Sequence, residues 1–194
     1  QVGQQMDLNN FKDFMIAELY GSNSSVGHNV MAWKPKNTGK WRWIMNDFDR
    51  CLYSPISTNT SFFLGKTTYP FSNLMKNSSF KQQFGIDLAD HLFTTFNPER
   101  IDSFMQGFAN NIRNEIPRHI ERWKGSVPLN GYDGDPIPSV QFWENSMETI
   151  RMFNDQRTWY LMNDWLSYGY PKFVNLSVQV YPAGSGKISI NNKL

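Results

Sequence analysis

Apolar positions recur with a helical period over most of the chain and with a period of two only near its end. Phe11, Phe14, Met15 and Leu19 mark the apolar stripe of a helix that starts on Asp7 as N-cap, runs to about Tyr20 and stops at Gly21. A polar loop, 23–29, comes next. Residues 30–33 and 40–45 then read as strands, and Pro35, Asn37, Thr38 and Gly39 between them supply the turn chemistry of a hairpin. Trp41, Trp43 and Met45 alternate with Arg42 and Ile44, which predicts one buried aromatic face. Residues 54–70 are rich in Ser and Thr, contain Gly65 and show no period, so an ordered loop is expected there.

The middle of the chain is patterned as helix throughout. A short helix is expected over 71–76. A second, capped by Ser78 or Ser79, should bury Phe80, Phe84, Leu88, Leu92 and Phe96. Asn97-Pro98-Glu99 combines a cap, a first-turn proline and an early acid, a strong start signal. The helix it opens should bury Ile101, Phe104, Met105, Phe108, Ile112, Ile116 and Ile120, with a kink or break at Pro117. Residues 125–138 hold three glycines and three prolines and read as a loop. Ser139 begins a helical region with Phe142, Trp143, Met147, Ile150 and Phe153. A separate helix over about 155–168 should bury Trp159, Leu161, Met162 and Trp165.

Beyond that the period changes. Val174, Leu176, Val178 and Val180 alternate with polar residues, 182–186 reads as a turn, and 187–190 begins another strand. A lone hairpin is marginal in water. The expected organisation is therefore a mainly helical α+β domain over 1–170 with one small hairpin, and the start of a β-rich accessory domain over 171–194. Packing of the last segment back on the helices is the alternative.

Composition narrows the functions available. Fifteen phenylalanines and seven tryptophans in 194 residues make a globular chain, with most tryptophans expected in the core and any exposed ones suited to sugars. Net charge is +2 with lysine and arginine scattered among acids, so no nucleic-acid footprint is present. No apolar run is long enough to span a bilayer. Cys51 is the sole cysteine, which excludes an intrachain disulfide and a cysteine-based zinc cluster and reads as a small buried group. The chain begins in mid-pattern without Met, as a piece of a longer protein would, so a missing leader carries no weight.

Candidate chemistry concentrates between the first helix and the residues after the hairpin. Asn23, Ser24, Ser25, His28 and Asn29 occupy the polar loop, and Asp47-Phe48-Asp49 follows the second strand. Local pattern alone also describes an Asn-rich turn followed by an acidic one. Glu115 and His119 lie four apart on one helix face, where an ion pair of Glu115 with Arg118 or Arg122 is the simpler reading than a metal pair.

Taken in order, these residues resemble a known family. The signs are Asn10-Phe11 with Phe14, Asn23, His28-Asn29, residues 39–44 read as Gly-Lys-Trp-Arg-Trp-Ile, and Asp47-Phe48-Asp49. Asn97-Pro98, the cluster Glu115, Arg118, His119, Arg122 and Trp123, and Phe153 with Arg157 complete them. The set is similar to the CotH kinase family, the spore-coat-protein-H-like atypical kinases of bacteria, and to the second half of that domain, equivalent to a kinase C-lobe. The resemblance implies Mg2+ and ATP as cofactors, phosphoryl transfer to a protein substrate, and an extracellular or cell-surface location. It places Asn23 and Ser25 at catalytic positions, Asn29 and Asp47 at the nucleotide, and Asp47, Asn29 and Asp49 at the metal. The family's loop acid falls on Ser24 or Ser25, which lack a carboxylate, and its phosphate-binding Lys would lie upstream of Gln1. A non-catalytic pseudokinase, or a surface binding or structural module, is the competing expectation.

Overall fold

The computed structural model describes residues 2–56, 59–66, 70–126, 136–168, 174 and 176–189. A four-residue helix, α1 (Val2–Gln5), leads into α2 (Leu8–Gly21). Asp7 caps α2 as expected, its carboxylate accepting from the Asn10 amide. Gly21 is the last helical residue and not the stop. Ser22 takes the left-handed conformation, with φ 59°, and its amide bonds the Glu18 and Leu19 carbonyls.

The hairpin forms as β1 (Met31–Trp33) and β2 (Arg42–Ile44), antiparallel, with Met31 opposite Ile44 and Trp33 opposite Arg42. The Asn10 side chain brackets Trp43, accepting from its amide at 2.6 Å and donating to its carbonyl at 3.2 Å. Trp43 packs edge-on against Phe11 at 4.7 Å and is half-buried, but Trp41 and Met45 are exposed, so the expected aromatic face is covered in part and at one position only. A two-stranded ribbon lying on a single helix covers the width of one side chain.

Residues 54–70 are not a plain loop, because they contain α3 (Thr60–Lys66). The Asn59 side chain accepts from the Phe62 amide, and the Asp164 carboxylate accepts from both the amide and the hydroxyl of Thr60. Phe63 is fully buried beneath them. The Asn59 cap is local, but an anchor supplied from a hundred residues away leaves no trace in local composition.

After α4 (Phe71–Leu74) comes α5 (Ser78–Phe93), capped by Asn77 and not by Ser78 or Ser79. Phe80, Phe84, Leu88 and Leu92 are buried as expected. Phe96 lies past the helix end and stacks on Tyr20 with ring centroids 4.1 Å apart. α6 (Pro98–Ile112) opens on the Asn97 cap, and a 3-10 turn at Arg113–Glu115 separates it from α7 (Ile116–Trp123), the break expected at Pro117. Of the wide apolar face expected here, Ile116 is buried and Ile101, Met105 and Ile120 are half-buried, whereas Phe104, Phe108 and Ile112 are exposed; Ala109, outside the expected set, is buried on α6. One edge of that face meets a neighbour; the other meets none among the described residues.

The two helices expected after Ser139 are one, α8 (Val140–Ser167), 28 residues long. Asn154 and Asp155 look like a boundary in sequence. In the fold Asn154 is buried and accepts from the Tyr20 hydroxyl at 3.2 Å. Trp165, Leu161 and Phe153 enter the core, but Trp159 is 69% exposed, and Trp33, Trp41 and Trp123 are exposed as well. Tryptophan here is mostly a surface residue, contrary to expectation. The core is built by α2, α5 and the last half of α8, with Phe84 between Phe71 and the Trp165 ring. α5 and α8 approach so closely that a Cβ at Gly85 would stand 2.9 Å from that ring.

Residues 174 and 176–189 form no strand. Val174, Leu176 and Val178 are exposed, and the expected turn closes by a bond from the Ser185 amide to the Pro182 carbonyl. Extended segments become strands only by pairing, and no partner edge meets these residues among the described residues. The expected boundary at 169–171 lies outside the described residues. No helix among the described residues is long and apolar enough to cross a membrane.

Candidate functional site

The carboxyl end of α2 is the fixed point on which the loop and the acid turn are both assembled. Arg157, on the buried stripe of α8, donates to the carbonyls of Leu19, Tyr20 and Pro55, joining the last turn of α2 to the segment beyond the hairpin. A cation at a helix C-terminus also complements the negative end of the helix dipole. Burial lowers the Arg157 guanidinium to about 10, so it is charged at neutral pH.

One turn earlier, Glu18 lies wholly beneath the loop. Its Oε2 accepts from the Asn23 side-chain amide at 2.7 Å, and its backbone carbonyl accepts from the Asn23 amide at 3.2 Å. Asn23 in turn accepts from the Ser25 amide at 2.9 Å, and the Ser25 carbonyl accepts from the amides of His28 and Asn29. Asn23 thus uses both ends of its side chain within the protein. Burial pushes the Glu18 carboxyl up to about 7 against the opposing effect of the Asn23 bond, and its Oε1 has no hydrogen-bond partner among the described residues.

The acid turn is locked to the same helix end. Phe48, between the two acids, sets its ring against Gly21, where a Cβ would stand 2.3 Å from the ring edge. That contact explains the glycine. The Leu52 amide donates to the Gly21 carbonyl at 2.9 Å. Asp47 adopts a left-handed backbone, φ 55°, a conformation aspartate tolerates better than most residues and one that recurs at functional turns.

The predicted residues therefore fall into two groups. Asn23 and Ser25 are buried and joined to each other, with Ser24 exposed above them; Asn29 is half-buried at the end of the loop. Asp47 and Asp49 are exposed. Asp49 lines a cavity of about 550 Å³ between the acid turn and α8. Cys51 is buried and free, its thiol pushed up to about 12 chiefly by burial and further by the charges of Glu18 and Asp49, so it is no nucleophile. Glu115 pairs with Arg118 at 3.2 Å on the surface, the structural reading expected for it. Among the described residues no group of three His, Cys, Asp or Glu side chains is placed to hold a metal.

Glu18 is the residue that sequence reasoning passed over. The signal was available: position 18 continues the stripe of Phe11, Phe14 and Met15, so an acid occupies a core-facing place. Arg157 carries the same signal between Phe153 and Leu161.

The polar loop and the acid turn are thus mounted on one helix end, with Asp47 exposed. The family model described as CotH kinase protein matches residues 1–161, and the chain belongs to that family. No curated protein and no solved structure matches it.

Proposed function

We propose that this domain carries the metal- and nucleotide-holding side of an atypical protein kinase. In this reading Asp47 and Asn29 hold Mg2+ on the phosphates of ATP, and the γ-phosphoryl passes to a hydroxyl of a protein substrate at the cell surface or outside the cell. The observation that carries the reading is the joint mounting of the Asn29 loop and the Asp47 turn on the end of α2 in a member of this family. The donor set suits the ion. Magnesium takes hard oxygen ligands, and protein sites typically supply only one or two carboxylates and leave the rest to phosphates and water. When bound, Mg2+ neutralises charge on the phosphate oxygens.

The chain's own residues position that chemistry. Asn23, with neither side-chain end free for substrate, braces the loop that presents Asn29. Phe48 fixes the backbone from which Asp47 projects.

A second reading, a non-catalytic pseudokinase or surface-binding module, is favoured by the loop's chemistry. Ser24 and Ser25 supply no carboxylate to accept the proton of an attacking hydroxyl, and Glu18, the acid bonded to Asn23 beneath the loop, is fully buried. Calorimetric titration with Mg-ATP, beside transfer of labelled phosphate to protein, separates the readings. Asp47→Asn is expected to abolish the Mg-ATP isotherm. An isotherm unchanged by that substitution rules out Asp47 as the metal acid, and binding without transfer establishes the pseudokinase.

A further inference from the structure

We propose that the turn of α8 holding Asp155, Gln156, Trp159 and Tyr160 binds a neutral sugar unit of a glycan, with the Trp159 indole as the stacking platform. None of these residues belongs to the group that would hold metal and nucleotide. The inference therefore stands whether or not the domain transfers phosphate.

Spacing puts the four side chains on one side of the helix. Positions 155 and 159, and beside them 156 and 160, are each four apart and stack one above the other. Ile56 closes the opposite wall. The five residues line a cavity of about 280 Å³, at the small end of ligand sites, with room for one small ring.

The walls are held from within. Arg157, in the core, donates to the Pro55 carbonyl next to Ile56 and sets its guanidinium 5.4 Å from the centroid of the Tyr160 ring. Tyr160 is half-buried against the core, whereas Trp159 is 69% exposed. A fixed ring beside a projecting indole gives a partner large apolar area at little cost in side-chain order.

The donor set suits a sugar. A pyranose has a flat face of C–H bonds and a rim of hydroxyls that both donate and accept. Trp159 offers the apolar plane. Asp155 and Gln156 are exposed, and among the described residues neither makes a hydrogen bond or an ion pair. The carboxylate can accept from two neighbouring hydroxyls, and the amide can accept from one and donate to another.

Charge narrows the occupant to a neutral one. Asp155 is the one residue lining the cavity with a formal charge, and it repels uronate, sulfate and phosphate groups. A cation meets the guanidinium of Arg157, which is charged at neutral pH and already occupies one face of the Tyr160 ring. Its positive charge behind the ring offsets the pull of Asp155 on a second cation.

The test uses cellohexaose, mannohexaose and chitohexaose as neutral probes, hexagalacturonate as an acidic one and tetramethylammonium as a cation. Saturation-transfer NMR with the whole chain detects weak binding and reports which ligand protons touch the protein. At least one neutral hexasaccharide should bind through the protons of one ring face, and the two charged probes should not. Trp159→Ala, at an exposed position that leaves the fold intact, should weaken that binding about tenfold, and Trp159→Phe less. Asp155→Ala should weaken it about fivefold. Trp123→Ala, which removes an exposed indole from α7, should leave it unchanged. Failure of all three neutral sugars to bind overturns the inference, and so does binding that survives Trp159→Ala or falls equally in Trp123→Ala. Tetramethylammonium binding that is lost in Trp159→Ala assigns the site to a cation and overturns it as well.

Discussion

The two halves of α8 carry similar numbers of large apolar residues and meet different fates. From the midpoint on, Phe153, Leu161 and Trp165 are buried, and Arg157 among them is wholly inaccessible. In the first half Phe142 and Met152 are exposed, and the contacts with α6 and the 3-10 turn include surface ion pairs, Arg113 with Glu144 at 2.7 Å and Arg151 with Asp102 at 3.1 Å, and the Arg113 guanidinium over the Trp143 ring. The second half lies against α2 and α5; the first has only the partly apolar α6–α7 arm beside it. An apolar stripe is buried to the extent that another element faces it. The candidate site spans the divide: its loop and acid turn hang from the tight half, while the open cavity borders the loose one.

The strongest way to break this contrast is at the buried arginine. Arg157→Met leaves three carbonyls without their donor and should lower unfolding stability by about 3–5 kcal/mol in urea titration. Arg151→Met, which breaks only surface pairs, should change it little. Similar losses from both would erase the distinction between the halves.

Glu18 sharpens it through pH. Its folded-state pKa of about 7 lies above the ordinary 4.5, so between those values the folded protein keeps a proton that the unfolded chain releases. The stability this group contributes is therefore full below about 4.5 and lost as pH rises through about 7. The loss should be about 2 kcal/mol once solvent screening is allowed for. Glu18→Gln keeps an acceptor for Asn23 and should flatten the decline, measured as the difference in urea midpoints at pH 5 and pH 8. A decline that survives in the Gln variant belongs to another group.

The smallest effect is expected on the open face of α6. Phe108 is 70% exposed, and Phe108→Ser should shift the unfolding free energy by no more than about 0.5 kcal/mol. A loss of several times that size would mean that the face is covered in solution.

Legibility followed the range of the forces involved. The Asp7 cap, the Asn97-Pro98 start and the break at Pro117 were readable, since each depends on residues within about one turn of one another, and the hairpin was readable from its turn residues and the alternation beside them. α3 was missed because its anchor is Asp164, and α8 was cut in two because the partner that buries Asn154 is Tyr20. The polar loop and the Asp47 turn were visible as candidates, but what holds them was not. Glu18 beneath Asn23, and Phe48 against Gly21, are contacts between segments that look independent along the chain.

By itself the sequence determined the helical period, the helix starts, the turn chemistry and, through ordered motifs, the family. Those features are local or are carried by residue identity. Which apolar faces are buried, which tryptophans reach solvent, and whether the alternating segment near the end pairs as strands were decided only in three dimensions. Burial and strand pairing are properties of two surfaces, and a single segment specifies one of them.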